Sequence, residues 1–146
     1  MPEIVARCGY RCDLCIIFKG NLKGPEDRAR FRDGLLKYYR HRIALEECYC
    51  EGCLTPDSER PVLVTADCPV RACAMAKGLD NCAGCAGYPC RNLKRRFIDR
   101  RKVRARFGAP IPEEDYRALI MPYESQRVLD RIRKSAGPGR KGRTRP

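Results

Sequence analysis

Asp67-Cys68-Pro69-Val70-Arg71-Ala72-Cys73-Ala74-Met75-Ala76-Lys77-Gly78-Leu79-Asp80-Asn81-Cys82-Ala83-Gly84-Cys85-Ala86-Gly87-Tyr88-Pro89-Cys90 carries five cysteines and no run of large apolar side chains. Such a stretch has too little apolar surface to be held by a core of its own. Thiolate-bound metal is therefore the first candidate for what organises it.

The chain around it has 146 residues, 11 cysteines and no tryptophan. That length suits one small domain with a modest core, in which metal crosslinks would matter more than usual. An odd cysteine count is awkward for a closed set of disulfides. The N-terminus has no basic segment followed by an apolar core, so no signal peptide is expected. No apolar run approaches the ~18 residues of a membrane span. The expectation is a cytoplasmic, reduced, metal-binding protein.

Three C-x2-C pairs support it: Cys12/Cys15, Cys50/Cys53 and Cys82/Cys85. Two intervening residues let a tight turn bring both sulfurs to one tetrahedral ion at ~2.3 Å. Two of the pairs read Cys-x-Gly-Cys, where glycine permits a sharp turn and lets peptide N–H groups approach the sulfur. The candidate ligands are Cys8, Cys12, Cys15, Cys50, Cys53, Cys68, Cys73, Cys82, Cys85 and Cys90. Cys50, Cys53, Cys68 and Cys73 read as one four-thiolate zinc site. The second zinc would draw on Cys12/Cys15 with Cys82/Cys85, or on a set in which Cys90 replaces one of these. About two zinc ions are expected, with Cys48 a spare thiol. The alternative is an iron–sulfur cluster held by Cys8, Cys12, Cys15 and a remote thiolate such as Cys90. The C-x3-C-x2-C spacing also serves radical S-adenosylmethionine enzymes, but this chain is too short for the barrel they need.

Catalytic signals are sparse. The one histidine, His41, lies between two arginines and reads as a solvated surface residue. An all-thiolate zinc site lacks the open position that hydrolysis requires. Asp13, Asp67 and Asp80 read as turn or cap residues. A reactive surplus thiol would have no identifiable partner base.

The periodicity predicts a mainly α domain with irregular cysteine-rich loops and little β, over residues 1–134. A helix is expected from Pro25 to about Glu47, weakened locally by Gly34. Further helices are expected over 70–77, 89–107 and from Glu113 to about Lys134, with Pro122 kinking or restarting the last. Val62–Thr65 reads as a short strand, and residues 135–146 as a basic disordered tail.

The formal net charge is +13, and it is segregated. Residues 1–90 carry 13 basic and 12 acidic residues, whereas residues 91–108 carry nine and one. Two four-thiolate zinc sites would lower the total to about +9. Arg95, Arg96, Arg100, Arg101, Lys102 and Arg104 are the candidate contacts for an anionic partner, either nucleic acid or an acidic protein.

The assembled motifs resemble a prokaryotic family catalogued as domain of unknown function 3795. Its Cys-Gly-x-x-Cys-x-x-Cys is matched by Cys8–Cys15 and its Cys-x-Gly-Cys by Cys50–Cys53. Its Cys-x-x-Arg-x-Cys-Ala is matched by Cys68–Ala74. Its Lys-Gly-x-x-Asn-Cys-x-x-Cys-x-x-Tyr-Pro-Cys is matched by Lys77–Cys90. The resemblance spans about residues 4–100. It implies a small cysteine-rich metal-binding domain and no substrate. Where many members carry a further cysteine, three residues before Cys68, this chain has Thr65; Cys48 is the thiol that would compensate.

Overall fold

A computed structural model describes residues 2–136. Among these, the regular elements are α1 (Pro25–Tyr39), α2 (Pro69–Ala76), α3 (Arg91–Lys94), α4 (Arg100–Phe107), α5 (Glu113–Leu119) and α6 (Ser125–Ala136), with short 3-10 turns between them. The only β pairing among the described residues is two isolated bridges, Val5 with Arg11 and Phe18 with Cys50. None of these helices is long and apolar enough to cross a membrane.

The starts of α1 and α2 follow from proline at the first helical position, where the missing N–H costs no hydrogen bond. The end of α1 departs from expectation. The helix stops at Tyr39, eight residues early, because Arg40 adopts left-handed backbone (φ 52°). The Arg40 and His41 N–H groups then close onto the Leu36 and Leu35 carbonyls. No glycine marks this cap. The turn frees Ile43 to pack beside Phe31 and the fully buried Cys48.

The expected 89–107 helix is two helices. The chain leaves α3 after Lys94, and Asp99 opens α4 by accepting hydrogen bonds from the Arg101 and Lys102 N–H groups. The break has a packing cause. Leu93 and Phe97 join a cluster with Val70 and Leu129, whereas Val103 and Phe107 join Tyr38 and Leu119. One straight helix cannot serve both. Val62–Thr65 forms no strand. Val62 exchanges hydrogen bonds with Glu51 alone, through the Glu51 N–H and its carboxylate, and no partner strand is present among the described residues. Pro122 does restart the last helix: α5 ends at Leu119 and α6 begins at Ser125. α6 continues to Ala136, so the tail expected from residue 135 lies almost wholly outside the described residues.

Three small apolar clusters replace a single large core. The first joins the N-terminal cysteine loop to α2, α3 and α6. The second lies between α1, α4 and α5, where Tyr38 donates a hydrogen bond to Asp115. The third holds Ile17, Phe31, Cys48 and Tyr123. Gly34 is a packing residue, since a β-carbon there would stand 2.6 Å from Leu119 Cδ1. Leu119 is itself buried. Gly34→Ala gains up to ~1 kcal/mol of helix propensity but overpacks this contact at about 1–3 kcal/mol. A net fall in the thermal midpoint of a few degrees is expected by circular dichroism; an unchanged or raised midpoint would show that Leu119 has room.

Candidate metal centre

Each C-x2-C turn is held from outside by a side chain distant from it in sequence or fixed beside it. The Asn21 amide donates to the Asp13 and Cys15 carbonyls at 2.9 and 2.8 Å, fixing the first turn. The Arg71 guanidinium, nearly buried, donates to the Cys53 and Thr55 carbonyls at 2.9 and 2.7 Å and to Asp57 at 2.6 Å, fixing the second. Arg133 donates to the Ala83 and Cys85 carbonyls at 2.7 and 3.0 Å, fixing the third. Carbonyls that a regular helix or strand would satisfy are satisfied here by side chains. Gly52 adopts φ +91° in the second turn, and its N–H approaches Cys50 Sγ at 3.4 Å, as the Cys-x-Gly-Cys pattern anticipates. In the third turn Gly84 lies inside a 3-10 turn capped by the Asn81 side chain, which accepts from Ala83 N–H.

All eleven cysteines are free thiols. Ten of them line two cavities. Cys8, Cys12, Cys15, Cys50, Cys53 and Cys68 line a chamber of about 570 Å³. Cys73, Cys82, Cys85 and Cys90 line a cavity of about 30 Å³. This grouping differs from the one that spacing suggests. Cys68 joins the N-terminal cysteines, and Cys73 faces Cys82, Cys85 and Cys90. The reason is α2, which begins just after Cys68 and separates it from Cys73. Cys48 lines neither cavity; its Sγ donates to the Ala44 carbonyl inside the third core cluster. Thr65 lines the large chamber. Among the described residues, no three His, Cys, Asp or Glu side chains already stand in an arrangement that could hold a metal ion. The thiols share cavities, not a closed ligand geometry.

The chamber is lined by charged and by apolar side chains. Arg7 N–H donates to Cys53 Sγ at 3.2 Å. The Arg7 guanidinium reaches the Leu79 and Asp80 carbonyls, but its buried Nε has no hydrogen-bond partner. Arg96, placed among the surface contacts by its sequence, is half-buried and lines the chamber with Cys68. Phe31, Leu35, Ile43 and Ile98 also line it. The Tyr123 hydroxyl lies 3.1 Å from Cys15 Sγ in a shared hydrogen bond. At the small cavity, the Lys77 ammonium donates to Cys85 Sγ at 3.2 Å. Arg7, Asn21, Tyr123 and Arg133 carry no sequence signal that ties them to cysteines far away. Arg71 and Lys77 lie inside the cysteine motifs themselves.

Burial pushes the Cys8 and Cys82 thiols up to about 12 from an ordinary 9.0. Burial also raises Cys12 and Cys53. At Cys85 burial acts the same way, but the Gly87 N–H and the Lys77 ammonium outweigh it and hold the thiol below its ordinary value. Of the other predicted residues, Asp13 does act in a turn, accepting from the Ile4 N–H and the Arg11 guanidinium. His41 is exposed at the edge of the chamber.

A family model described as "Protein of unknown function (DUF3795)" matches residues 4–95. No curated protein and no solved structure matches the chain.

The raised thiols set a pH dependence. A thiol whose folded pKa lies above its unfolded value contributes stability that is complete below the unfolded value and lost as pH rises through the folded one. The metal-free protein should therefore lose stability between about pH 9 and 12, through Cys8 and Cys82. Denaturant titrations across that range check this, and a flat midpoint would contradict it. Separately, Cys48→Ser should lower stability, because it places a hydroxyl in an apolar cluster, and leave metal content unchanged by atomic absorption.

Proposed function

The chain belongs to the DUF3795 family, and from that premise we propose a two-centre thiolate metalloprotein. In this reading Cys73, Cys82, Cys85 and Cys90 hold one structural zinc ion. The six-thiol chamber holds an iron–sulfur cluster that serves electron transfer in a reducing, cytoplasmic setting. The observation that carries the proposal is the division of ten cysteines between cavities of about 30 and 570 Å³. Four thiols around a space the size of one ion suit a tetrahedral zinc site, in which sulfurs stand ~2.3 Å from the metal. Six thiols around a volume many times larger suit a group that brings its own bulk of iron and sulfide.

The donor set fits such a group. Four of Cys8, Cys12, Cys15, Cys50, Cys53 and Cys68 would ligate it, leaving two thiols over. A thiolate-ligated cluster supplies one-electron chemistry. Around it this chain supplies counter-charge and shielding. Arg7 and Arg96 line the chamber with the thiols, and the Arg7 Nε–H is a buried donor that lacks an acceptor. N–H groups of Arg7 and Gly52 point at Cys53 and Cys50 Sγ. Donors to the sulfurs and an apolar wall are features by which a protein tunes a cluster's potential. In both centres a bound metal would displace the thiol protons, so loading should fail on acidification, in the same direction as the burial that holds Cys8 and Cys82 neutral in the metal-free fold.

Anaerobic purification followed by zinc, iron and sulfide analysis tests the reading. A brown protein with about one zinc and one cluster per chain is expected. Cys85→Ser should remove the zinc and spare the colour, and Cys12→Ser/Cys15→Ser/Cys53→Ser together, which leave too few chamber thiols for a cluster, should do the reverse. A colourless protein carrying zinc alone would overturn the cluster and leave a purely zinc-bound domain. Joint loss of both metals from either variant would overturn the division of ligands.

A further inference from the structure

The basic segment plays no part in either metal centre apart from Arg96, and the fold sorts its nine cations into two classes. Arg96, Arg100 and Arg106 are committed to the protein. Arg96 lines the chamber with Cys68. Arg100 lies 4.0 Å over the Tyr116 ring and 3.0 Å from Glu113. Arg106 donates to the Tyr38 carbonyl at 3.2 Å and covers Tyr39. Arg91, Lys94, Arg95, Arg101, Lys102 and Arg104 are exposed and have no ion pair among the described residues. In α4 the sorting follows helical geometry. Val103 and Phe107 turn into the second core cluster; at about 100° per residue Arg101 and Lys102 point away from it, and Arg104 stands exposed on its flank.

Six positive charges within 14 residues repel one another, and no ion pair among the described residues offsets that cost. We propose that the outer face of α3–α4 binds the phosphate backbone of double-stranded nucleic acid. Two observations choose this partner over an acidic protein or a single strand. Protein interfaces centre on buried apolar or aromatic anchors. The exposed large apolar residues here are Leu14, Leu36, Leu54, Val62 and Val64, all outside this segment. Single-strand binding draws on aromatic stacking platforms. The aromatic residues of this segment, Phe97 and Phe107, are packed against the core clusters instead. What is left is a charged face without anchors, which is sufficient for phosphate contacts because these require only positive charge and release counterions.

The test uses the full chain as purified, with fluorescently labelled 20-base-pair DNA and RNA duplexes read by anisotropy. Four to six phosphate contacts predict an affinity loss of roughly 10²- to 10³-fold between 50 and 200 mM salt. Arg101→Ser/Lys102→Ser/Arg104→Ser together should weaken binding at fixed salt at least ~10-fold and reduce the salt slope by about three, with metal content unchanged. Arg140, Lys141, Arg143 and Arg145 all changed to Ser should retain most of the affinity. Comparing the duplexes separates a DNA from an RNA backbone, and either supports the inference. Absent or salt-independent binding would overturn it. So would binding lost with the tail changes but kept with the α4 changes, or competition by poly-glutamate as effective as by duplex. Metal analysis of the same samples is independent of these outcomes, so this inference and the two-centre reading fail separately.

Discussion

The structure depends on carbonyl groups that have no helix or strand to satisfy them. Each cysteine turn exposes several, and each turn is closed by one polar side chain: Asn21, Arg71 or Arg133. A neutral hydrogen bond adds only ~1 kcal/mol net, but bonds to charged donors add more, and a buried carbonyl left unpaired costs as much again. The clamps thus fix the turns in place as well as stabilise them. They also tie distant parts of the chain together: Arg71 joins α2 to the Cys50–Cys53 loop, and Arg133 joins α6 to Cys82–Cys85.

Around these turns the apolar residues gather in three small clusters instead of one. The large chamber lies between the first and the third. Cys8, Cys12, Cys53 and Cys68 pack against the first, and Cys15 and Cys50 against the third. A cleft of about 570 Å³ at the meeting of two sub-cores leaves out contact that a chain of this size needs. A metal centre that crosslinks the two sub-cores would restore that lost cohesion through bonds instead of packing. The same argument explains why Cys48, buried in the third cluster away from both cavities, behaves as a small apolar residue.

Arginine serves opposite purposes in this chain. Buried or half-buried guanidiniums clamp loops, face sulfur and cover aromatic rings, which the planar five-donor group does better than an ammonium. Arg91, Arg95, Arg101 and Arg104, exposed along the same segment, have no such duty among the described residues. Net charge by itself cannot separate these uses. Arg95 and Arg96 are neighbours in sequence, yet one faces solvent and the other lines the chamber with the thiols.

The sequence by itself determined the helical class, the cysteine turns and several element boundaries, because those rest on local rules. Proline started α1 and α2, glycine stopped α2, and two-residue spacing made the turns. Family membership was legible too, since the Cys-Gly and Tyr-Pro-Cys patterns are local. Three features were decided only by the tertiary structure. α1 ends at an arginine in left-handed backbone, which no local preference favours. The 89–107 stripe breaks at Asp99 because its halves belong to different clusters. Cys73 parts from Cys68 because the α2 turn between them sends the two thiols to different cavities. Spacing along a chain states which sulfurs can share a turn; which turns share a cavity depends on how the helices between them pack.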